Sequence, residues 1–171
     1  MFHVERYTKT LAVKGFLLFF ISMISFSCMA PRATIQIQDY ILMDDGKKIL
    51  DKKEGLTAFI FENDQRKYPF VDFITTKYNL GSYYDVEYWV TIDGQRFKVF
   101  LYDNAELEKY FVTSQFMVSN VETEATKITN IKFIALSMIS DRNEDVLRDD
   151  SLYQGIAIKY LKDLKNEFLK N

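Results

Sequence analysis

The chain has 171 residues, 48% of them hydrophobic and 27% charged, with only two prolines and six glycines. That balance describes one folded domain plus a targeting segment, and it excludes a disordered or linker-rich chain. A formal charge of -2 excludes the basic footprint of a nucleic-acid binder.

In the first fifteen residues Arg6, Lys9 and Lys14 outnumber Glu5. Residues 16–27 then carry no charge. A bilayer span needs about 20 apolar residues, so this shorter stretch fits the core of a signal peptide. Cys28 follows at once and is the only cysteine, so it cannot form an internal disulfide. Ser25-Phe26-Ser27-Cys28 resembles the lipobox of bacterial lipoproteins, in the looser form found in Bacteroidota. Ser27 supplies the small residue before the cysteine, while Ser25 stands where Leu is usual and Phe26 where small residues are common. The resemblance implies that residues 1–27 are a cleaved signal peptide and that Cys28 carries the lipid. It implies membrane attachment through Cys28, with residues 28–34 as a tether reaching about 20 Å. Neither an Asp nor an acidic run follows Cys28. By the same resemblance, the expected location is the outer membrane, facing the periplasm.

Residues 35–171 read as a single domain. Alternation over 35–38 predicts a strand. Residues 40–43 and 48–50 flank Asp44-Asp45-Gly46, which predicts a hairpin. Residues 56–61 read as a buried strand. Pro69 suits the first turn of a helix, and Phe70, Phe73, Ile74 and Tyr78 then recur at helical spacing.

The clearest pattern runs over residues 84–102, where apolar and polar residues alternate on both sides of Asp93-Gly94. Asp-Gly favours a two-residue type I′ turn, whose central positions need positive φ. That turn sets the register. It pairs Val90 with Phe97, Tyr88 with Val99 and Val86 with Leu101 on one face. On the other it pairs Thr91 with Arg96, Trp89 with Lys98 and Glu87 with Phe100.

Asn104 is placed to cap a short helix ending near Phe111, with Leu107, Tyr110 and Phe111 inward. Residues 112–127 have no clear period. Residues 131–139 form a nearly continuous apolar run, as in a central strand covered on both faces. Ser151 is placed to cap a last helix. Leu152, Ile156, Tyr160, Leu164 and Phe168 would form its inner stripe, with Tyr153, Ala157 and Leu161 beside it, and Lys159, Lys162, Asp163, Lys165 and Glu167 would face water. The expected fold is α+β, a mainly antiparallel sheet with two short helices and a long C-terminal one. From residue 56 on, the element order matches a ferredoxin-like split βαβ.

The chemistry is mostly excluded. The one histidine, His3, lies in the signal segment, so the domain has no histidine base and lacks the usual zinc ligands. No G-x-x-x-x-G-K-[ST] or G-x-G-x-x-G motif occurs. No catalytic residue, metal or cofactor is assigned. Asp141-Arg142-Asn143-Glu144-Asp145 begins like a calcium loop, but Val146 and Leu152 replace the glycine and glutamate that such a loop needs.

Two positive features remain. Asp85 and Glu87 would share a strand face beside Trp89, and a carboxyl pair there would suit a glycosidase. Tyr83, Tyr84, Trp89, Phe100 and Tyr102 cluster around the hairpin. Trp89, Phe100 and Tyr102, with Glu87 and Lys98, lie opposite the Val/Phe face and form a candidate binding face. The sequence thus points to a membrane-anchored envelope lipoprotein with a non-catalytic role and a protein partner, as an envelope-complex component or a periplasmic immunity protein. The rivals are a glycan or small-ligand binder using the aromatic face, and a carboxylate-dependent hydrolase.

Overall fold

The computed structural model describes residues 34–49, 52–81, 84–118 and 128–171. The signal segment, Cys28, the tether up to residue 33 and Tyr83 lie outside these. In chain order the elements are β1 (Ile35–Gln36), β2 (Ile41–Met43), β3 (Ala58–Glu62), α1 (Phe70–Tyr78), β4 (Glu87–Ile92) and β5 (Gln95–Leu101). They continue with α2 (Asn104–Tyr110), a 3-10 turn (Thr113–Gln115), β6 (Phe116–Met117), β7 (Phe133–Ser140) and α3 (Gln154–Lys170). The fold is α+β. A five-stranded sheet has the order β2-β3-β7-β5-β4, and every neighbouring pair in it is antiparallel. β1 and β6 form a short parallel pair apart from it.

The hairpin is the local structure the sequence specifies most strongly. Asp93 and Gly94 have φ of 49° and 81°, as a type I′ turn requires. Each of the five pairs expected from Thr91–Arg96 to Glu87–Phe100 is formed. Val86 then accepts a hydrogen bond from Leu101 N at 2.9 Å.

β7 is central, as its apolar run suggested, and all eight of its residues are buried. That position overturns the ferredoxin-like strand order. In a split βαβ the strands joined by the first helix run parallel. Here β7 and β5 stand between β3 and β4, and three successive antiparallel pairings leave β3 and β4 opposed. A strand apolar on both faces needs a neighbour on each edge, so β7 takes the middle.

Four other expectations are corrected. β2 pairs with β3, not with residues 48–50, because Gly46 N donates to Leu56 O and Leu56 N donates to Lys47 O. The cap of α2 is Asp103 rather than Asn104. Asp103 accepts from Glu106 N at 2.7 Å, and the Glu106 side chain returns to Asp103 N in a capping box. α3 begins only at Gln154, so Leu152 precedes it and is 96% exposed. The buried stripe of α3 is Ala157, Leu161, Leu164 and Phe168. Lys165 is buried too, contrary to the helical wheel, because Asp39 and its carbonyl receive the ammonium, and Lys162 reaches Asp39 at 3.0 Å. These lysines hold the Asp39 carboxyl below its usual range.

α1 and α3 cover one face of the sheet. Their Phe70, Phe73, Ile74, Leu161 and Phe168 pack on Phe59, Phe61, Phe97, Val99, Leu136 and Met138. The opposite face is covered only in part. α2 and the β1–β6 segments cover Ala58, Ile60 and Ala135, while Leu56 and Ile49 sit beside Phe100 and Ile139. Over β4 the cover ends, and Glu87, Trp89 and Thr91 are exposed.

Candidate binding face

The period-2 pattern of β4 sends Val86, Tyr88 and Val90 inward and Trp89 outward. Trp89 is 45% exposed. The Arg96 guanidinium lies 4.8 Å from the Trp89 ring centroid, on the diagonal that the type I′ register creates. Such a contact contributes about 0.5–1 kcal/mol at an exposed site. Glu87 and Lys98 form the adjacent diagonal, an ion pair at 2.7 Å. Lys98 also lies over the Phe100 ring at 5.3 Å. Trp89, Glu87, Lys98 and Arg96 therefore form one connected patch. Arg96 joins the face through its place opposite Thr91, one diagonal from Trp89.

Phe100 and Tyr102 do not join the open part of this face. They point the same way from β5 but are only 6% and 5% exposed. The reason is tertiary, because the loop after β2 folds over them. Phe100 packs with Leu56 and Ile139. Tyr102 closes a hydrogen-bond chain in which its hydroxyl accepts from Lys47 N at 2.7 Å and meets Ser137 Oγ at 2.9 Å. Ser137 Oγ spends its proton on Thr57 O at 2.8 Å, so the Tyr102 hydroxyl is the donor to Ser137. Burial pushes the Tyr102 hydroxyl pKa up to about 12.

Asp85 and Glu87 are not placed alike on the hairpin. Glu87 is neutralised by Lys98. Asp85 precedes the strand with φ of 48°, so it does not continue the β4 alternation. In the 141–150 loop Asp145 acts as a strut. Its carboxylate accepts from Thr57 N at 2.6 Å and Leu147 N at 3.0 Å, joining this loop to β3. Burial raises its pKa against the pull of those bonds. Arg148 bridges Glu54 at 2.6 Å and Asp150 at 3.2 Å across the neighbouring cleft. Among the described residues, no group of three or more His, Cys, Asp or Glu is gathered as a metal site. No helix among them is long and apolar enough to cross a membrane.

No family model matches the chain, and no solved structure matches it. Among curated proteins, it is similar to the chromosomal replication initiator protein DnaA of Buchnera aphidicola subsp. Cinara cedri. The two are 26% identical over 141 residues, which is 79% of this chain and 32% of that protein. The chain thus spans about a third of the length of the relative it matches.

Proposed function

We propose that this chain is a lipid-anchored envelope protein whose Trp89 face docks a protein partner, without catalysis. The observation that carries the reading is a large aromatic ring held 45% exposed on an edge strand. Trp and Arg are the residues most enriched where binding energy concentrates, and here they touch. β4 closes one end of the sheet, so among the described residues its outer edge has no strand neighbour. An incoming segment can add main-chain hydrogen bonds there while Trp89 anchors it. The anchor rests on the lipobox-like Ser25-Phe26-Ser27-Cys28. The roles that fit are an envelope-complex component and a periplasmic immunity protein, on the periplasmic side of the outer membrane.

The other readings have less behind them. A glycan platform needs an open ring face, and Arg96 occupies one face of Trp89. The hydrolase reading needs two carboxyls facing one site at a set separation, and Asp85 leaves the β4 alternation while Glu87 is drawn to Lys98. A replication role like the one in the relative's name finds neither a basic surface charge nor a phosphate-binding glycine loop in this sequence.

Trp89→Ala is expected to leave stability within about 1 kcal/mol of wild type, since the ring is 45% exposed and its Arg96 contact is a surface one. The same change should weaken partner binding roughly 30-fold, a loss of about 2 kcal/mol. Crosslinking and pull-down from solubilised envelopes checks this. A captured protein that wild type retains and Trp89→Ala loses supports the docking face, whereas identical capture by both rejects it. A stability loss on the core scale of about 3–5 kcal/mol would reject it as well.

Cys28→Ala is expected to abolish labelling by a fatty-acid analogue and to move the chain from the membrane fraction to the soluble one. Retention of the variant in membranes would favour an uncleaved N-terminal anchor.

A further inference from the structure

The two-residue turn fixes which main-chain groups of β4 face its free edge. In an antiparallel pair, residues alternate between exchanging hydrogen bonds across the ladder and turning their N–H and C=O the other way. Leu101 N donates to Val86 O at 2.9 Å, so Val86, and with it Tyr88, Val90 and Ile92, bonds toward β5. The N–H and C=O groups of Glu87, Trp89 and Thr91 therefore point out of the sheet edge. Among the described residues, no backbone hydrogen bond outside the hairpin meets them. Edge strands are commonly guarded by lysine, proline or a bulge. β4 contains neither lysine nor proline and pairs with β5 without a bulge. All of its residues except Glu87 are strong strand formers.

This edge is complementary to itself. An antiparallel copy of β4 centred on Trp89 sets Glu87 opposite the second copy's Thr91, and Trp89 opposite the second copy's Trp89. Each is a pair of outward-facing residues, so each exchanges both N–H···O bonds. A centre at Tyr88 or Val90 instead sets Thr91 or Glu87 against residue 85 or 93, both outside the strand. Asp85 and Asp93, opposed in the Trp89 register, have left-handed φ of 48° and 49°, so the ladder ends before them. The cross-strand partner of Thr91 is Arg96. Glu87 of the second copy thus arrives on the Arg96 face, beside the Trp89 ring that the guanidinium covers. Among the described residues Arg96 has no carboxylate partner, and Glu87 keeps acceptor sites beyond its bond to Lys98. On the other face the half-buried Val90 and Ile92 come beside Tyr88 and Val86 of the second copy.

We propose that the partner docked at this edge is a second copy of the chain, joined β4 to β4 in antiparallel register about Trp89. The contact is isologous, so one patch serves both sides and the assembly closes at two copies. The two sheets run on as one, which removes the open edge from each. Trp89 and Arg96 meet near the centre of the contact, where binding energy concentrates. This inference rests on the reading of the Trp89 face as a docking site and names its occupant.

The test co-expresses two full chains with different C-terminal tags, one carrying Glu87→Cys and the other Thr91→Cys. Both positions are exposed, so the substitutions leave the core alone. A short bis-maleimide is added to whole cells. In the proposed register, positions 87 and 91 of the two copies have Cα atoms about 5.5 Å apart. Two copies of position 87, or of position 91, are offset by four residues, about 14 Å along the strands. Crosslinked product bearing both tags is expected at least fivefold above that from chains carrying the same substitution. Wild-type chains measure any contribution from Cys28. Trp89→Ala in both chains should cut the product at least threefold. No product bearing both tags, equal yield from matched and unmatched cysteines, or a yield unchanged by Trp89→Ala overturns the proposal. Failure of the docking reading is told apart by the pull-down. A different protein, held by wild type and lost by Trp89→Ala, with no doubly tagged product, keeps the docking face and overturns the second copy as its occupant.

Discussion

Gly46→Ala is expected to destabilise the fold by about 3 kcal/mol, the upper end of the cost of overpacking. A β-carbon at position 46 would meet Leu56 O at 2.7 Å and Phe111 Cζ at 3.1 Å, and would strike the Tyr102 hydroxyl. Neither main partner can yield cheaply. Leu56 O is backbone and accepts the Gly46 N–H at 2.9 Å. The Tyr102 hydroxyl is held by Lys47 N and Ser137. The opposing strand of chain is equally tight, since a β-carbon on Gly55 would lie 2.5 Å from Gly46 O. Two glycines thus let the loop after β2 lie directly on the chain entering β3. Thermal denaturation checks the effect, with a midpoint drop of roughly 10 °C expected for a domain of this size. A midpoint equal to wild type would mean that the two segments do not approach so closely. Gly94→Ala probes a different cause, because nothing lies within 4 Å of a β-carbon there and only the positive φ resists it.

Phe168→Ala is expected to cost about 3–5 kcal/mol, as a large ring removed from a packed core. Phe168 is fully buried near the end of α3. Its ring meets Phe70 at 4.9 Å, Phe73 at 5.6 Å and Tyr68 at 5.9 Å between centroids. These contacts pin α3 onto α1, and both helices onto the sheet. Leu152→Ala is the matched control. The two residues share one stripe at four-residue spacing, yet Leu152 lies outside the helix and should cost within about 0.5 kcal/mol. Urea unfolding of both variants separates the cases, and equal losses would contradict the observed start of α3.

The features legible in the sequence are those whose cause lies within a few residues. Asp93-Gly94 determines the turn, the turn determines the register, and the register puts Trp89 beside Arg96 and opposite the core face. The nearly continuous apolar run of β7 determines its central place. Pro69 and Asn79 bound α1, with Asn79 in the left-handed conformation at its end. The lipobox-like segment and the absence of histidine from the domain are likewise matters of sequence alone.

What only the tertiary structure decided are the features set by residues far apart in the chain. Alternation assigns Phe100, Tyr102 and Trp89 to one face but cannot say how far a loop some fifty residues upstream will cover it. That loop reaches Tyr102 through Lys47 N and stops short of Trp89, so two of the three rings are buried. A helical wheel places Lys165 in water, yet Asp39, more than a hundred residues earlier, receives its charge and lets its stem be buried. The orphaned oxygen of Asn63 is of the same kind. Only the approach of residues 131–132 gives the Asn63 backbone N and Nδ2 their acceptors, while Oδ1 is buried without a partner. Local patterns encode which way a side chain points. Whether that side chain meets protein or water depends on long-range packing, which no window of sequence contains.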